Sequence, residues 1–217
     1  MPSSHTTINP PAAQGNDAPA PITLVFATNN GHKLREVRQL LGDAYDVRSL
    51  ADIGCHDDIA ETAATLEGNA LLKARHVSSR YHVPCFADDT GLEVDALGGE
   101  PGIHTARYAE LHGEGSTHDA TANMRLLLRE MAGKDVRTAR FRTVIALIKD
   151  GEEHLFEGVA EGTIARHAHG HEGFGYDPVF RPAGHYTTFA EMTAEAKNAI
   201  SHRGQAIRRL ADYLLSC

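Results

Sequence analysis

Two adjacent carboxylates between apolar segments are the first residues in this sequence that could carry chemistry. Asp88-Asp89-Thr90-Gly91 follows an apolar run that ends at Ala87. Carboxylate oxygens are ligands that Mg²⁺ prefers, and a positioned carboxylate can also accept a proton from water. A solvated hairpin turn with aspartate caps has the same pattern, so the pair alone leaves both interpretations open. Glu61 and Glu67 are further candidate metal ligands, although a lone Glu usually lies on a solvated face.

A second polar cluster has the composition of a phosphate-binding turn. Thr28-Asn29-Asn30-Gly31-His32-Lys33 directly follows the apolar run Ile22–Ala27. A strand that leads through small residues into a helix presents backbone N–H groups and the positive end of the helix dipole. Lys33 adds a formal positive charge. The cluster is not a Walker loop, and an ordinary strand-to-helix turn is the alternative.

Two later clusters have residue types that recognise a planar base and its phosphates. Gly173-Phe174-Gly175-Tyr176-Asp177-Pro178 places aromatic rings between glycines, which is typical of a stacking platform for a base. Lys197 precedes Ser201-His202-Arg203-Gly204, where the last helical segment is predicted to break. Lys, His and Arg at such a break could donate hydrogen bonds to phosphate or to a base carbonyl. A charged surface helix with a kink is the alternative.

The composition fits a globular protein without broad affinity for nucleic acid. The chain has 217 residues, of which 41% are hydrophobic, and 21 Lys and Arg stand against 29 Asp and Glu. The formal charge of −8 argues against polymeric nucleic acid as a partner, because that partner needs a basic footprint. A small anionic ligand is not excluded, because a few converging cations dominate a local field.

The sequence also predicts the compartment and the limits of the folded part. The three cysteines have no paired spacing, so we expect a reducing, cytoplasmic environment. No apolar run is long enough to cross a membrane. We expect Met1–Pro21 to be a disordered extension, because it lacks the apolar surface needed to offset the entropy lost on ordering, and it has no apolar core like that of a signal peptide. We expect 22–217 to be a single folded domain.

The hydrophobic pattern alternates strands and helices, as in an α/β protein. Strands are predicted at Ile22–Ala27, Tyr45–Leu50, Pro84–Ala87, Leu92–Ala96, Arg137–Ile148 and His154–Ile164, with Asp88–Gly91 as an acidic turn between the third and the fourth. Helices are predicted over 34–41, 65–80, 119–131 and 188–215, the last with a break near Ser201–Gly204. Residues 98–115 and 167–182 are predicted loops. Thr188 and Glu191 have the spacing of a capping box.

Taken together, these motifs resemble those of the inosine triphosphate pyrophosphatase family over roughly Ile22–Leu214. The motifs that carry the resemblance occur in the family's order: Phe26–Asn30 with Lys33, Glu67–Ala70 with Lys73–Arg75, Ala87–Leu92 with Pro101-Gly102 and Ala106–Tyr108, Gly173–Pro178, and Ser201–Gly204. The resemblance implies an elongated, two-lobed α/β fold with a central mixed β-sheet flanked by helices. It also implies an active-site cleft between the lobes and a homodimer.

The same resemblance assigns roles to individual residues. It implies hydrolysis of deaminated purine nucleoside triphosphates (ITP, dITP, XTP) to the monophosphate and pyrophosphate, with Mg²⁺ as cofactor. Asp89 would be the catalytic proton acceptor and a metal ligand, and Glu61 the second metal ligand. The substrate would be bound by the remaining residues of the motifs: Thr28, Asn29, Asn30, Gly31, His32, Lys33, Lys73, Thr90, Phe174, Gly175, Tyr176, Asp177, Lys197, His202 and Arg203.

Three other interpretations remain open at this stage. The chain could be a pyrophosphatase for modified pyrimidine or other nucleotides, which a panel of bases would distinguish. It could be a nucleotide-binding module without catalysis, although the intact Asp88-Asp89 pair argues against this. The alternating His167, His169 and His171 could bind a transition metal, although a surface loop is the simpler explanation for three of the 14 histidines.

Overall fold

Seven strands and six helices make up the regular structure of this protein, in a computed structural model that describes residues 21–57 and 59–216. The strands are β1 (Ile22–Phe26), β2 (Tyr45–Arg48), β3 (Cys85–Val94), β4 (Pro101–Gly102), β5 (Thr138–Lys149), β6 (Glu152–Ile164) and β7 (Phe180–Pro182). The helices are α1 (Gly31–Leu41), α2 (Leu66–Tyr81), α3 (Tyr108–Leu111), α4 (Ala120–Glu130), α5 (Ala194–Ile200) and α6 (His202–Ser216).

The strands form one mixed sheet in the order β2-β1-β3-β5-β6-β7, with β4 paired to β3. β1 runs parallel to both β2 and β3, whereas β3, β5, β6 and β7 pair in antiparallel fashion. Helix α2 packs on β3 and β5, and α6 packs on β5 and β6. The α/β class and the central mixed sheet flanked by helices, both predicted from the sequence, are thereby confirmed.

Local sequence signals explain where the helices begin. Asn30 caps α1 by accepting hydrogen bonds from the backbone N–H groups of His32 and Lys33. Thr65 and Asp119 cap α2 and α4 in the same way. The capping box between Thr188 and Glu191 is present, but it starts a short 3₁₀ turn rather than the last helix. The predicted break in the last helix is narrower than expected, because only Ser201 separates α5 from α6.

The prediction of an acidic turn at Asp88–Gly91 is wrong. These residues continue β3, and each pairs with a residue of β5, from Asp88 opposite Ile145 to Gly91 opposite Arg142. Polar residues ending in glycine resemble a turn in sequence. Here tertiary ion pairs stabilise the carboxylates within an extended strand, so local propensity does not decide the structure.

Strands β3 and β5 cross two regions of hydrophobic core on one face of the sheet, and on the other face they contribute Cys85, Ala87, Ala146 and Ile148 to a third. Phe86 and Ile145 lie in a core with Leu24, Val37 and Leu210. Further along the same two strands, Leu92 and Phe141 lie in another core with Leu127, Phe180 and Phe189. The polar residues Asp88, Asp89, Thr90 and Thr143 lie between these two regions.

Other expectations differ in detail or fall outside the described chain. The predicted loop over 98–115 contains β4 and the short helix α3, and the loop over 167–182 ends in β7. The predicted disorder of the N-terminal extension falls on residues 1–20, which lie outside the described residues. Within the described chain, helices are too short or too polar to span a lipid bilayer.

Candidate active site

A gap at one edge of β3 creates the candidate site. In the described part of the chain, β1 pairs with β3 at Cys85 and Phe86, and β4 pairs with it at Leu92 and Glu93. Between these two pairings, no strand among the described residues borders this edge. Lys73 reaches this edge and donates a hydrogen bond from Nζ to the backbone carbonyl of Asp88 at 2.6 Å. Lys73 also lies 3.4 Å from the Asp89 carboxylate, so its ammonium group contacts both Asp88 and Asp89 at this edge.

Asp88 faces the side of the sheet that carries α1 and α6. Its carboxylate accepts hydrogen bonds from Lys33 Nζ at 2.8 Å and from Arg203 Nε at 3.2 Å. Arg203 is 2% exposed, and it also pairs with Glu36 and donates to the Thr90 hydroxyl at 3.2 Å. Asp88 thus fixes a lysine from α1 and an arginine from α6 beside the gap.

Asp89 faces α2, on the opposite side of the sheet. Asn69 donates from Nδ2 to the Asp89 carboxylate at 3.1 Å, and Lys73 Nζ lies 3.4 Å from its other oxygen. Lys73 also pairs with Glu61 at 2.7 Å. Asn69 in turn accepts the backbone N–H of Ala63 at 2.9 Å, so its amide has a fixed orientation. The arrangement holds the carboxylates of Glu61 and Asp89 around one ammonium group.

The adjacent carboxylates have pKa values that shift in opposite directions. Burial alone would raise the pKa of Asp88, but the charges of Lys33, Arg203 and Lys73 hold it well below its usual range. Burial raises the pKa of Asp89, and Lys73 offsets only part of this increase because Glu61 adds repulsion. For Glu61 itself, burial would raise the pKa, but the neighbouring Lys73 lowers it overall. Asp89 is therefore the better proton acceptor of the adjacent pair.

The cations around the gap are paired with carboxylates. Burial lowers the pKa of Lys33, with Asp88 opposing the shift. Burial would lower the pKa of Lys73, but Asp89, Glu61 and Asp88 raise it overall. Four cations and five carboxylates take part in the ion pairs: Lys33, Lys73, Lys197 and Arg203 with Glu36, Glu61, Asp88, Asp89 and Asp177.

Asp177 connects the loop that carries Phe174 to this network of ion pairs. Asp177 accepts the backbone N–H of Phe174 at 2.7 Å and pairs with Lys197 Nζ at 2.8 Å. Burial raises the pKa of Asp177, and Lys197 partly offsets this. Lys197 Nζ lies 5.1 Å and Arg203 Cζ 5.7 Å from the centre of the Phe174 ring, within the range of cation–π attraction. The ring is thus held beside the cations of the gap.

Two predicted substrate contacts lie deeper than expected. Tyr176 is 3% exposed, packs in the core with Phe180, and donates its hydroxyl to the backbone carbonyl of Thr105 at 3.0 Å. His202 is 3% exposed and stacks on Phe141 with ring centres 4.5 Å apart. Burial holds the pKa of His202 well below its usual value, and its Nδ1 has no hydrogen-bond partner among the described residues. Tyr176 therefore contributes to packing, whereas His202 has one buried polar atom that no described side chain or backbone group satisfies.

The remaining predicted residues lie at the start of α1. Thr28 accepts the backbone N–H of Asn30 at 3.1 Å, which shapes the turn before the helix. Asn29, Asn30, Gly31 and His32 are exposed there, and the His32 ring lies 5.3 Å from Phe174. The structure therefore places the helix N-terminus and the aromatic loop next to each other.

Sequence reasoning gave no role to two residues that organise the site. Glu36 bridges Arg203 and Lys197, and it follows Lys33 by three positions on α1, a spacing that places both on one helical face. Asn69 orients Asp89, and it belongs to the Glu67–Ala70 motif. Glu67, named as a candidate metal ligand, instead pairs with Arg142 at 3.1 Å.

The histidine triplet does not form a metal centre in the described chain. His167, His169 and His171 are exposed, and they do not join any group of three potential ligands there. This finding favours the surface-loop interpretation.

Comparison with known proteins gives a consistent family relationship. The sequence profile of the Ham1 family matches residues 24–213. A protein from Porphyromonas gingivalis named dITP/XTP pyrophosphatase is 56% identical over 193 residues, which are 88% of this chain and 97% of the relative. A protein of the same name from Flavobacterium psychrophilum is 50% identical over 88% of this chain and 98% of its own length.

Solved structures resemble the fold as well as the sequence. The HAM1 protein from Coxiella burnetii matches with a TM-score of 0.80 and 37% identity, over 90% of this chain and all of that one. The Ham1 protein from Staphylococcus aureus matches with a TM-score of 0.79 and 37% identity, over 89% of this chain and 98% of that one.

Proposed function

This chain belongs to the Ham1 family, and we propose that it hydrolyses dITP, ITP and XTP to the nucleoside monophosphate and pyrophosphate. The observation that carries the proposal is the gap beside β3, where a proton acceptor, three cations and an aromatic ring converge. The 56% identity with a protein named dITP/XTP pyrophosphatase supports the substrate class.

The cations provide the triphosphate site. Lys33, Lys73 and Arg203 come from three helices, and each is held by a carboxylate at the gap. A triphosphate would replace part of this carboxylate contact with its own oxygens. The N-terminus of α1 adds backbone N–H groups around Asn30. Lys33 and Lys73 then stabilise the charge that develops on the leaving pyrophosphate.

The donor set at Glu61 and Asp89 fits Mg²⁺. Both carboxylates contact the Lys73 ammonium group, so oxygens of Glu61 and Asp89 already lie on either side of one cation. Mg²⁺ is usually held by one or two carboxylates together with substrate phosphates. When bound, the ion supplies charge neutralisation of the phosphates. Glu61 and Asp89 would hold it.

Asp89 is positioned to accept the proton of the attacking water. Asn69 fixes one of its oxygens, and burial raises its pKa, which strengthens it as a base. Asp88 would not share this role, because its oxygens are occupied by Lys33 and Arg203. Attack at the α-phosphorus breaks its bond to the bridging oxygen, and pyrophosphate leaves.

The choice of base rests on hydrogen bonds at the 6-position of the purine. Deamination replaces an amino donor by a keto acceptor. A site that presents donors to that oxygen would leave them buried and unpaired if adenine bound. His202 and Arg203 are the candidate donors, with Phe174 as the stacking ring. Guanine shares the keto group, so its exclusion must act through the 2-position.

The same family membership supports proposals on assembly and location. We expect a homodimer and a cytoplasmic enzyme in which residues 22–217 form a single domain.

The experiment that tests the function is hydrolysis of ITP, dITP, XTP, ATP, GTP and CTP with Mg²⁺, with pyrophosphate scored separately from orthophosphate. Pyrophosphate release from the first three substrates is expected. Release of orthophosphate would overturn the proposed reaction, because the terminal phosphate would then be cleaved. Preference for a pyrimidine would overturn the proposed substrate class. Binding without turnover would indicate a module that lacks catalysis.

A further inference from the structure

A second cluster of ligand-type side chains lies away from the β3 gap. Cys55, Asp57 and His76 each offer one ligand atom, and these three atoms lie within 4.8 Å of one another. Cys55 and Asp57 follow a 3₁₀ turn over Ala51–Ile53, whereas His76 is on α2. We propose that Cys55, Asp57 and His76 form a binding site for a zinc-type transition-metal ion, with water as the fourth ligand.

The three side chains would have to move only slightly to hold a metal. His76 Nε2 lies 2.8 Å from Asp57 Oδ2, so this pair is already in contact. Around a tetrahedral Zn²⁺ with bonds of 2.0–2.3 Å, neighbouring ligand atoms are about 3.3–3.8 Å apart. A metal would therefore replace the Asp57–His76 hydrogen bond, separate these two atoms by about half an ångström, and bind the Cys55 sulfur from its buried side.

The types of donor select the class of metal. A thiolate, an imidazole and a carboxylate suit Zn²⁺ or Co²⁺, whereas Mg²⁺ prefers oxygen ligands alone. Cys55 is 1% exposed, but the side chains of Asp57 and His76 are each about one third exposed. The ion can therefore enter from solvent and meet the buried sulfur last.

The surroundings provide the supporting contacts that metal ligands usually have. Arg80 Nη1 lies 3.0 Å from the Asp57 carboxylate, and the Tyr81 hydroxyl is beside the Cys55 sulfur. Arg80 and His76 contact the same Asp57 oxygen, Oδ2, so the carboxylate would have to rotate for the metal and Arg80 to bind different oxygens. Bound metal would fasten the 55–57 segment to α2.

Metal binding at this cluster would also affect the β3 gap. Glu61 lies four residues beyond Asp57 on the same segment, and Lys73 lies one helical turn before His76 on α2. Glu61 and Lys73 pair at 2.7 Å. A metal at the cluster would therefore stabilise the approach of the two elements that position this pair.

The test uses the full chain with Cys217→Ser, freed of metal and titrated with Co²⁺ alone. One equivalent should produce a thiolate-to-cobalt charge-transfer band, and Zn²⁺ should abolish it by displacing the cobalt. Cys55→Ser should remove the band, and His76→Ala should weaken Co²⁺ binding at least tenfold, while His185→Ala, an exposed histidine elsewhere, should change nothing. Asp89→Asn should retain the band, which separates this cluster from the proposed Mg²⁺ ligands.

Two results would overturn the proposal. One is the absence of a charge-transfer band in the parent protein. The other is an unchanged affinity for Co²⁺ in His76→Ala. In that case Asp57, His76 and Arg80 would form only a surface ion cluster. His76 is partly exposed, so this variant decides the question even if Cys55→Ser fails to fold.

Discussion

Asp88 and Asp89 are neighbours in sequence but point to opposite faces of β3, Asp88 toward Lys33 and Arg203, and Asp89 toward Asn69 and Lys73. The alternation of side chains along a strand requires this separation. Within the described residues, no strand pairs with β3 between β1 and β4, and Lys73 contacts the Asp88 carbonyl and the Asp89 carboxylate there. Because of these different surroundings, Asp88 holds cations, whereas Asp89 is the better proton acceptor.

Asp88→Asn should destabilise the protein, because it leaves buried cations with one fewer anion. Removal of one partner from a buried ion pair costs about 3–5 kcal/mol. The pKa of Asp88 is lowered in the folded state. Its contribution should therefore be present at pH 7 and be lost as the pH falls below about 4, the pKa of an unfolded Asp. Urea unfolding of both proteins at pH 7 and at pH 3 measures this difference, and an equal difference at both values would contradict it.

Asp89→Asn should have the opposite effect on stability while abolishing turnover. The raised pKa of Asp89 means that folding penalises its charged form, and this penalty disappears as the pH falls. At pH 7 the variant should melt at or above the temperature of the parent protein, and its kcat should fall about 10²-fold or more. Asp46→Asn, in an exposed pair with Arg48, serves as the control that leaves kcat unchanged. Retained turnover in Asp89→Asn would exclude Asp89 as the base.

The sequence predicted the classes of most elements because their signals are local. Asn30, Thr65 and Asp119 mark the starts of helices, and the apolar runs Arg137–Ile148 and His154–Ile164 predict the two strands that pair as β5 and β6. The extended conformation of Asp88–Gly91 could not be predicted in this way. It depends on Lys33 and Arg203, which lie 55 and 115 residues away from Asp88 in the chain.

The roles of Tyr176 and Glu36 also depend on tertiary structure. Glycines around Tyr176 suggested an exposed ring, but the loop folds back so that Tyr176 enters the core with Phe180. Glu36 has the pattern of a charged helix face, and only the positions of α5 and α6 turn it into the bridge between Lys197 and Arg203.

Phe174→Leu should weaken substrate binding more than it slows the chemical step. Stacking of a base on an aromatic ring contributes about 1–3 kcal/mol, so KM for dITP should rise about tenfold or more. Tyr186→Leu is the matched control, because the Tyr186 side chain is 96% exposed. Steady-state kinetics separate the two parameters. A fall in kcat with an unchanged KM would instead assign Phe174 to the transition state.

His202→Phe should reduce the loss of stability at mildly acidic pH. The folded protein holds His202 neutral, because burial lowers its pKa, whereas the unfolded chain takes up a proton near pH 6.5. From pH 8 to pH 5.5 the parent protein should therefore lose about 1.4 kcal/mol more stability than the variant. Phenylalanine keeps a ring against Phe141, so packing is largely retained. Parallel pH dependences for the two proteins would show that His202 is protonated equally in both states.

Gly158→Ala should displace the site residues on α6, because Gly158 lies where α6 packs on β6. A Cβ at position 158 would lie 2.0 Å from the backbone oxygen of His202 and 2.7 Å from the backbone nitrogen of Ala206. Backbone atoms cannot rotate away as a flexible side chain can, so α6 must shift. We expect a loss of about 3 kcal/mol or more in stability, together with reduced turnover, because His202 and Arg203 begin this helix.

Gly31→Ala is the matched substitution for this last prediction. The nearest atom to its Cβ would be the end of the Arg35 side chain at 3.6 Å, an ordinary contact. Its free energy of unfolding should therefore stay within about 0.5 kcal/mol of the parent value, as for most surface changes. Thermal and urea unfolding of both variants measure the contrast. Equal stabilities would mean that α6 accommodates the added methyl group and that the close contact with β6 does not position Arg203.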